Sequence, residues 1–209
     1  MWELFLSAFV TLFVVIDPPG CAPIYAGLTS GAPPRLAFAM AVRACGIAAA
    51  ILVLFALFGE RLLGALHIEL DAFRIAGGIM LFIIALEMVF EKRTQRREER
   101  AEKVRSHNAQ TPEIEDVSVF PMAMPMIAGP GSIATVMLLM SQAEGTQATL
   151  VILGALAAVM LLTFGSLAAS GPLMRLLGAQ VEAVITRLLG VLLAALAAQY
   201  VIDGLKAQF

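Results

Sequence analysis

Runs of about twenty apolar residues separated by short polar interruptions dominate the chain, and this alternation predicts membrane-crossing helices, each long enough for a hydrocarbon core about 30 Å thick. Six such stretches can be laid out, at roughly Trp2 to Ser30, Leu36 to Phe58, Phe73 to Phe90, Val117 to Ser141, Thr149 to Ala169 and Ile185 to Leu205. The first and fourth are interrupted alike, by Asp17-Pro18-Pro19-Gly20 and by Ala128-Gly129-Pro130-Gly131, with the two Pro-Gly pairs 111 residues apart. Other landmarks keep nearly the same offset: Leu62-Leu63-Gly64-Ala65 recurs as Leu176-Leu177-Gly178-Ala179, and Glu69, Arg74 and Gly77 recur as Glu182, Arg187 and Gly190. The pattern predicts an internal duplication: a three-helix repeat over residues 1–90, a charged linker over 91–116, and a second three-helix repeat over 117–209. An odd number of spans per repeat makes the second copy cross the membrane in the opposite sense. The expected architecture is therefore an all-α membrane protein of six transmembrane helices, arranged as two inverted three-helix repeats with helices 1 and 4 broken.

Composition agrees with a membrane setting. The 209 residues are 60% hydrophobic and 14% charged, with a mean hydropathy of +0.88, against roughly 45–50% and about 25% in soluble domains. The net charge of −2 does not set orientation; Lys and Arg in short loops do. Lys92, Arg93, Arg96, Arg97, Arg100, Lys103 and Arg105 fall in the linker, which places residues 91–116 in the cytoplasm and both termini outside. Arg35, Arg43, Arg175 and Arg187 then also lie inside, and of 14 basic residues only Arg61, Arg74 and Lys206 lie outside. The linker reads as a solvated extension of the third helix with oppositely charged neighbours, or else as a lipid head-group or partner contact. Met1-Trp2-Glu3-Leu4 lacks the basic region of a cleavable leader, so the first span is expected to remain.

Chemistry is sparse. Cys21 and Cys45 fall in or beside membrane segments and read as small buried hydrophobes rather than a disulfide framework or thiolate site. His67 and His107 are far apart in sequence, and no metal-ligand spacing, cofactor motif or nucleic-acid signature is present. Neither His-Glu-x-x-His nor Gly-x-Ser-x-Gly occurs, so no catalytic residue is assigned. The methionines at 122, 124, 126, 137 and 140 read as adaptable core packing, and Gly77, Gly78, Gly154, Ala157, Gly165 and Gly190 as sites of close helix approach.

The candidate site lies at the breaks. Interrupted backbone is tolerated in hydrocarbon only where it faces protein or water. Asp17, Pro18, Pro19 and Gly20 with Gly129, Pro130, Gly131 and Ser132 are therefore the expected substrate- or ion-binding residues. Amides freed at Gly20 and Gly131 would suit a carboxylate, and carbonyls before Pro18 and Pro130 would suit an ammonium or coupling cation. A mid-membrane carboxylate costs about 2.5–3.5 kcal/mol on insertion scales, so Asp17 should face the interior, as a cation or proton site or as a helix-end cap. Offset 111 pairs Asp17 with Ala128. Arg43 either snorkels to the interface or pairs with Asp17 or a substrate carboxylate. Glu87 is either interfacial or part of a proton path. Ser132, Thr135 and Ser141 offer hydroxyls, for which bonding back to the helix is the ordinary role of the latter two.

Together these residues carry a resemblance. Ile16-Asp17-Pro18-Pro19-Gly20, Ala72-Phe73-Arg74-Ile75-Ala76-Gly77-Gly78-Ile79, Ile84-Ala85-Leu86-Glu87-Met88, Ala128-Gly129-Pro130-Gly131-Ser132 and Gln199-Tyr200-Val201-Ile202-Asp203-Gly204 resemble the MarC family in order and spacing over nearly the whole chain. The resemblance implies a six-span protein of the bacterial inner membrane, related to the LysE-type transporter superfamily, some of whose members are described as neutral amino-acid transporters. One departure is Gly20-Cys21-Ala22-Pro23, where many relatives carry a more polar Gly-Asn-Ile-Pro-like sequence. The expected activity is secondary transport or export of a small zwitterionic solute, with a proton or Na+ as coupling ion. A membrane scaffold, a drug exporter and an intramembrane enzyme are the alternatives. The apolar helices also leave surface for self-association.

Overall fold

In the computed structural model the chain is described over residues 1–90, 98–99 and 116–208, with the backbone alone over 173–183 and at 208. The expectations for the charged linker, for His107 and for the side chains of Arg175 and Glu182 lie outside the described residues. The described residues are all-helical, without strands. α1 (Trp2–Ile16) and α2 (Pro18–Leu28) are followed by α3 (Pro34–Ala65) and α4 (Leu70–Val89). After the linker come α5 (Ser118–Ile127), α6 (Pro130–Ser141), α7 (Gly145–Ala168) and α8 (Ser170–Gln208). Five of the helices or helix pairs are long and apolar enough to cross a membrane, and α5 with α6, bent by 52° at their junction, bring the candidate spans to six if that pair counts as one.

α5 is not a regular α-helix. Its amides reach back five residues, from Met122 to the Val117 carbonyl and from Ala128 to that of Ala123, and Phe120 and Met124 are extended. The cause is local: Pro121 and Pro125 have no N–H to donate and push the residue before each out of the helical region. At the other end of the chain, α8 starts well before the predicted sixth span. Pro172 sits in its first turn, where a missing N–H costs nothing, and only one glycine, Gly178, follows before Ile185.

Packing runs mainly between the two halves. α4 lies against α8, α1 and α2 against α7, α2 against α8, and α3 against α5, α6 and α7. Lipid gives no hydrophobic drive between helices, so close van der Waals fit must hold them, and glycines permit it. A Cβ on Gly78 would stand 2.9 Å from the Ala197 carbonyl oxygen, and one on Gly190 3.1 Å from that of Ala85. One on Gly77 would meet Leu138 of α6 at 2.9 Å. Gly154 and Gly165 correct the sequence expectation, for nothing lies within 4 Å of a Cβ at either, and Ala157 is exposed. α7 buries its opposite face, through Ile152, Ala155, Leu156, Val159 and Thr163. Met122, Met126 and Met137 are buried as expected, whereas Met124, in the extended part of α5, is 45% exposed. Leu54, Phe58, Ile83, Leu161 and Leu188 form part of the outer apolar surface that a bilayer would cover.

Because backbone atoms cannot yield as side chains do, Gly78→Ala should lower stability by about 1–3 kcal/mol, the usual range for overpacking. Gly154→Ala should leave it unchanged or slightly raised. Thermal unfolding of both variants in the same detergent checks the contrast.

Candidate functional site at the helix breaks

Asp17 forms the first break. Its backbone is left-handed, with φ 58° and ψ 65°, a conformation that Asp and Asn adopt more readily than other non-glycine residues. Its amide closes α1 by donating to the Phe13 carbonyl at 2.9 Å, and its own carbonyl accepts from the Cys21 amide at 3.1 Å to open α2. The side chain then turns back, so that Oδ1 accepts from the Gly20 amide at 3.1 Å. Asp17 is 1% exposed. A Cβ at Gly20 would lie 2.2 Å from Asp17 Oδ2, which is why no larger residue fits there. The Cys21 thiol, also buried, lies 3.6 Å from the Ile16 carbonyl and can donate to it.

This corrects one expectation. The Gly20 amide is not free for a ligand, because the chain's own carboxylate already occupies the start of α2. Pro18 and Pro19 contribute no N–H to that start, and Pro18 is buried beside Asp17.

The second break is built differently. Ala128 (φ −91°, ψ 55°) and Gly129 (φ −77°, ψ 171°) carry the chain from α5 into α6. Pro130 is the first helical residue, and the start of α6 has no side-chain cap. The Ile133 amide reaches Gly129 at 3.0 Å, so the Gly131 and Ser132 amides precede the first intrahelical bond of α6. Thr135 spends its hydroxyl on the Gly131 carbonyl at 2.7 Å, and Ser141 its own on that of Leu138 at 2.8 Å. Ser132 is 3% exposed.

Aligning the helix starts pairs Asp17 with Gly129, each preceding the first helical proline, one residue away from the sequence pairing with Ala128. A side chain at Gly129 is excluded, since its Cβ would stand 2.4 Å from the Pro125 carbonyl oxygen. The two breaks approach one another: a Cβ on Gly131 would lie 3.7 Å from Val15 Cγ1 and 2.4 Å from Ile84 Cδ1. Ile84 lies within α4, so α6 starts inside the depth of that span.

Arg43 goes elsewhere. Its guanidinium pairs with Asp116, with both side chains substantially exposed, so the suggested pairing with Asp17 is not the one the fold makes. Asp116 also accepts from the Ser118 amide at 3.0 Å. Partial burial opposes ionisation of Asp116, but hydrogen bonding from Ser118 and the Arg43 charge outweigh it and hold the carboxyl below its ordinary range. Glu87, half-buried, stands one turn beyond Ile84 on α4. Sequence reasoning passed over Asp116, although an Asp two residues before a Ser is a recognisable turn signal. It also passed over Val15, Ile84 and Pro125, whose roles come only from contact. Among the described residues no group of His, Cys, Asp and Glu could hold a metal ion.

Substitution tests the cap and the left-handed backbone of Asp17 together. Asn is as good a helix cap and tolerates the left-handed backbone, so Asp17→Asn should fold normally. Asp17→Ala loses the cap, about 0.5–2 kcal/mol, and strains the backbone by roughly 1–2 kcal/mol. Melting temperatures in detergent should therefore rank native and Asn above Ala.

Residues 2–209 match the MarC family of integral membrane proteins. The chain is 34% identical over 209 residues to the UPF0056 membrane protein YvbG of Bacillus subtilis, covering 100% of this chain and 97% of that one. It is 32% identical over 201 residues to the UPF0056 inner membrane protein YhgN of Escherichia coli, covering 96% and 95%. A UPF0056 membrane protein of Archaeoglobus fulgidus is 33% identical over 203 residues, covering 97% and 92%. No solved structure matches. The protein with the capped and uncapped helix breaks is a multi-pass integral membrane protein and belongs to the MarC family.

Proposed function

We propose that this protein is a secondary transporter of small zwitterionic solutes, with neutral amino acids as the substrate class, working between two inverted repeats with both termini outside. The observation that carries the reading is the inequality of the two breaks. One helix start is occupied by a buried carboxylate, and the other, adjoining it through Val15 and Gly131, has no side-chain cap. A zwitterion matches that pair: its carboxylate suits the Gly131 and Ser132 amides at the positive end of α6, and its ammonium suits Asp17. When no solute is present, Asp17 can take a proton or Na+, which gives the coupling ion a place. The Ser132 hydroxyl supplies a further polar group on the α6 side.

The packing scheme supports the inverted repeats. Exchanging the halves turns α1 against α7 into α5 against α3, α2 against α8 into α6 against α4, and α2 against α7 into α6 against α3, and all of these pairs are present. α4 against α8 and α3 against α7 map onto themselves. A scheme with this symmetry suits rocking of one half on the other around a central site. The order of basic residues supports the orientation, with the Arg43–Asp116 pair on the linker side.

The test is uptake and counterflow in proteoliposomes with a panel of neutral amino acids, with and without a pH gradient. The native chain should move at least one of them. Asp17→Asn, which keeps the cap, should slow it about 10- to 100-fold, the size of a lost charge-assisted hydrogen bond of ~1.5–3 kcal/mol, and flatten its response to the gradient. Absence of transport across the whole panel overturns the substrate class, and an Asn variant with native rate and pH dependence overturns the role of Asp17.

A further inference from the structure

A groove of about 440 Å³ runs between α1 and α8, away from the break itself. Val10 and Val14 of α1 and Leu192, Leu193 and Leu196 of α8 form its apolar walls. Glu3, Ser7 and Thr11, spaced by one helical turn each, form a polar seam along α1. Glu3 is exposed and makes no ion pair among the described residues.

Three features identify what fills it. The groove lies on a membrane-spanning helix pair, and beyond the seam of Glu3, Ser7 and Thr11 its walls are Val and Leu, which suit a hydrocarbon chain. From Glu3 to Val14 the groove extends about 16 Å at ~1.5 Å per residue, which is close to one leaflet, half of a hydrocarbon core about 30 Å thick. The lone carboxylate stands at the end of α1 where a head group would lie, next to Trp2, which is 71% exposed and of a residue type that favours the interface.

We propose that the groove is a binding site for one acyl chain of a phospholipid whose head group carries a primary ammonium, the ammonium hydrogen-bonding to Glu3. A primary ammonium can donate directly to the carboxylate, whereas an anionic glycerol head group is repelled by it. The chain fills the space between α1 and α8 down to Val14, three residues before Asp17. The site therefore braces the outer wall of α1 above the first break, and its existence does not depend on what the protein transports.

Trp2 is the only tryptophan and lies one turn from the groove residue Leu6, so its fluorescence reports on the site. The protein is reconstituted in mixed vesicles of phosphatidylethanolamine and phosphatidylglycerol, with acyl chains brominated on one lipid or the other, and quenching is measured against composition. The expected result is a two- to fivefold preference for the ethanolamine lipid, about the range of an exposed ion pair. That preference should vanish in Glu3→Gln. It should also vanish in Val10→Phe, which fills the groove from a position already 42% exposed and so leaves the core intact. Equal quenching by both lipids in the native protein overturns the proposal. So does a preference that survives Glu3→Gln, or one that survives Val10→Phe, since the latter places the head group near Glu3 without a chain in the groove.

Discussion

Backbone polarity in a medium that cannot hydrogen-bond is the constraint on which this structure turns. A continuous helix hides its own amides and carbonyls, but a helix that stops inside hydrocarbon exposes several of each, at several kcal/mol apiece if left bare. Asp17 answers that demand at the first break with backbone and side chain together. Its amide ends α1, its carbonyl starts α2, and its carboxylate returns to the Gly20 amide. The left-handed turn needed for this brings the carboxylate so close to residue 20 that only glycine fits. Asp17 and Gly20 are thus one device, in which the carboxylate at 17 dictates glycine at 20.

The second break has the same helix-start chemistry but not the same solution. Pro125 crowds Gly129 through its carbonyl and forbids a side chain at the capping position, so α6 starts without an internal acceptor. The crowding comes from the prolines of α5, which widen its turns and bring its end back across the start of α6. The two similar motifs therefore differ in capping, and the helices before them are built differently: α1 is regular and aromatic-lined, while α5 is wide and proline-bent. Within such an arrangement the unequal polarity of the two breaks follows from packing as much as from the identity of residue 17.

Interleaving of the halves explains how two interrupted helices can be held so closely. Most contacts of each half are with the other, and the closest approaches use Gly77, Gly78 and Gly190 to bring backbone near backbone or side chain. Neither half would bury its own breaks alone. The same logic explains which glycines matter: Gly154 and Gly165 stand on the outer face of α7, where nothing approaches them.

Much was legible from the chain alone because membrane physics writes in long, simple runs. The candidate spans, the two proline-glycine interruptions and the family resemblance all follow from apolar length, proline, glycine and repeated order. The back-bonding of Thr135 and Ser141 followed from their residue types on a helix. The register of α8, the wide turns of α5, the partner of Arg43 and the side of α7 that packs were not legible, because each depends on which surface another helix presents. Hydropathy constrains how far a segment travels through lipid, and so the sequence by itself determined that the chain is an all-helical integral membrane protein with five to six candidate spans. Which side chains press on a helix start, as Ile84 and Val15 press on Gly131, depends on segments distant in sequence, and that only the tertiary structure decided.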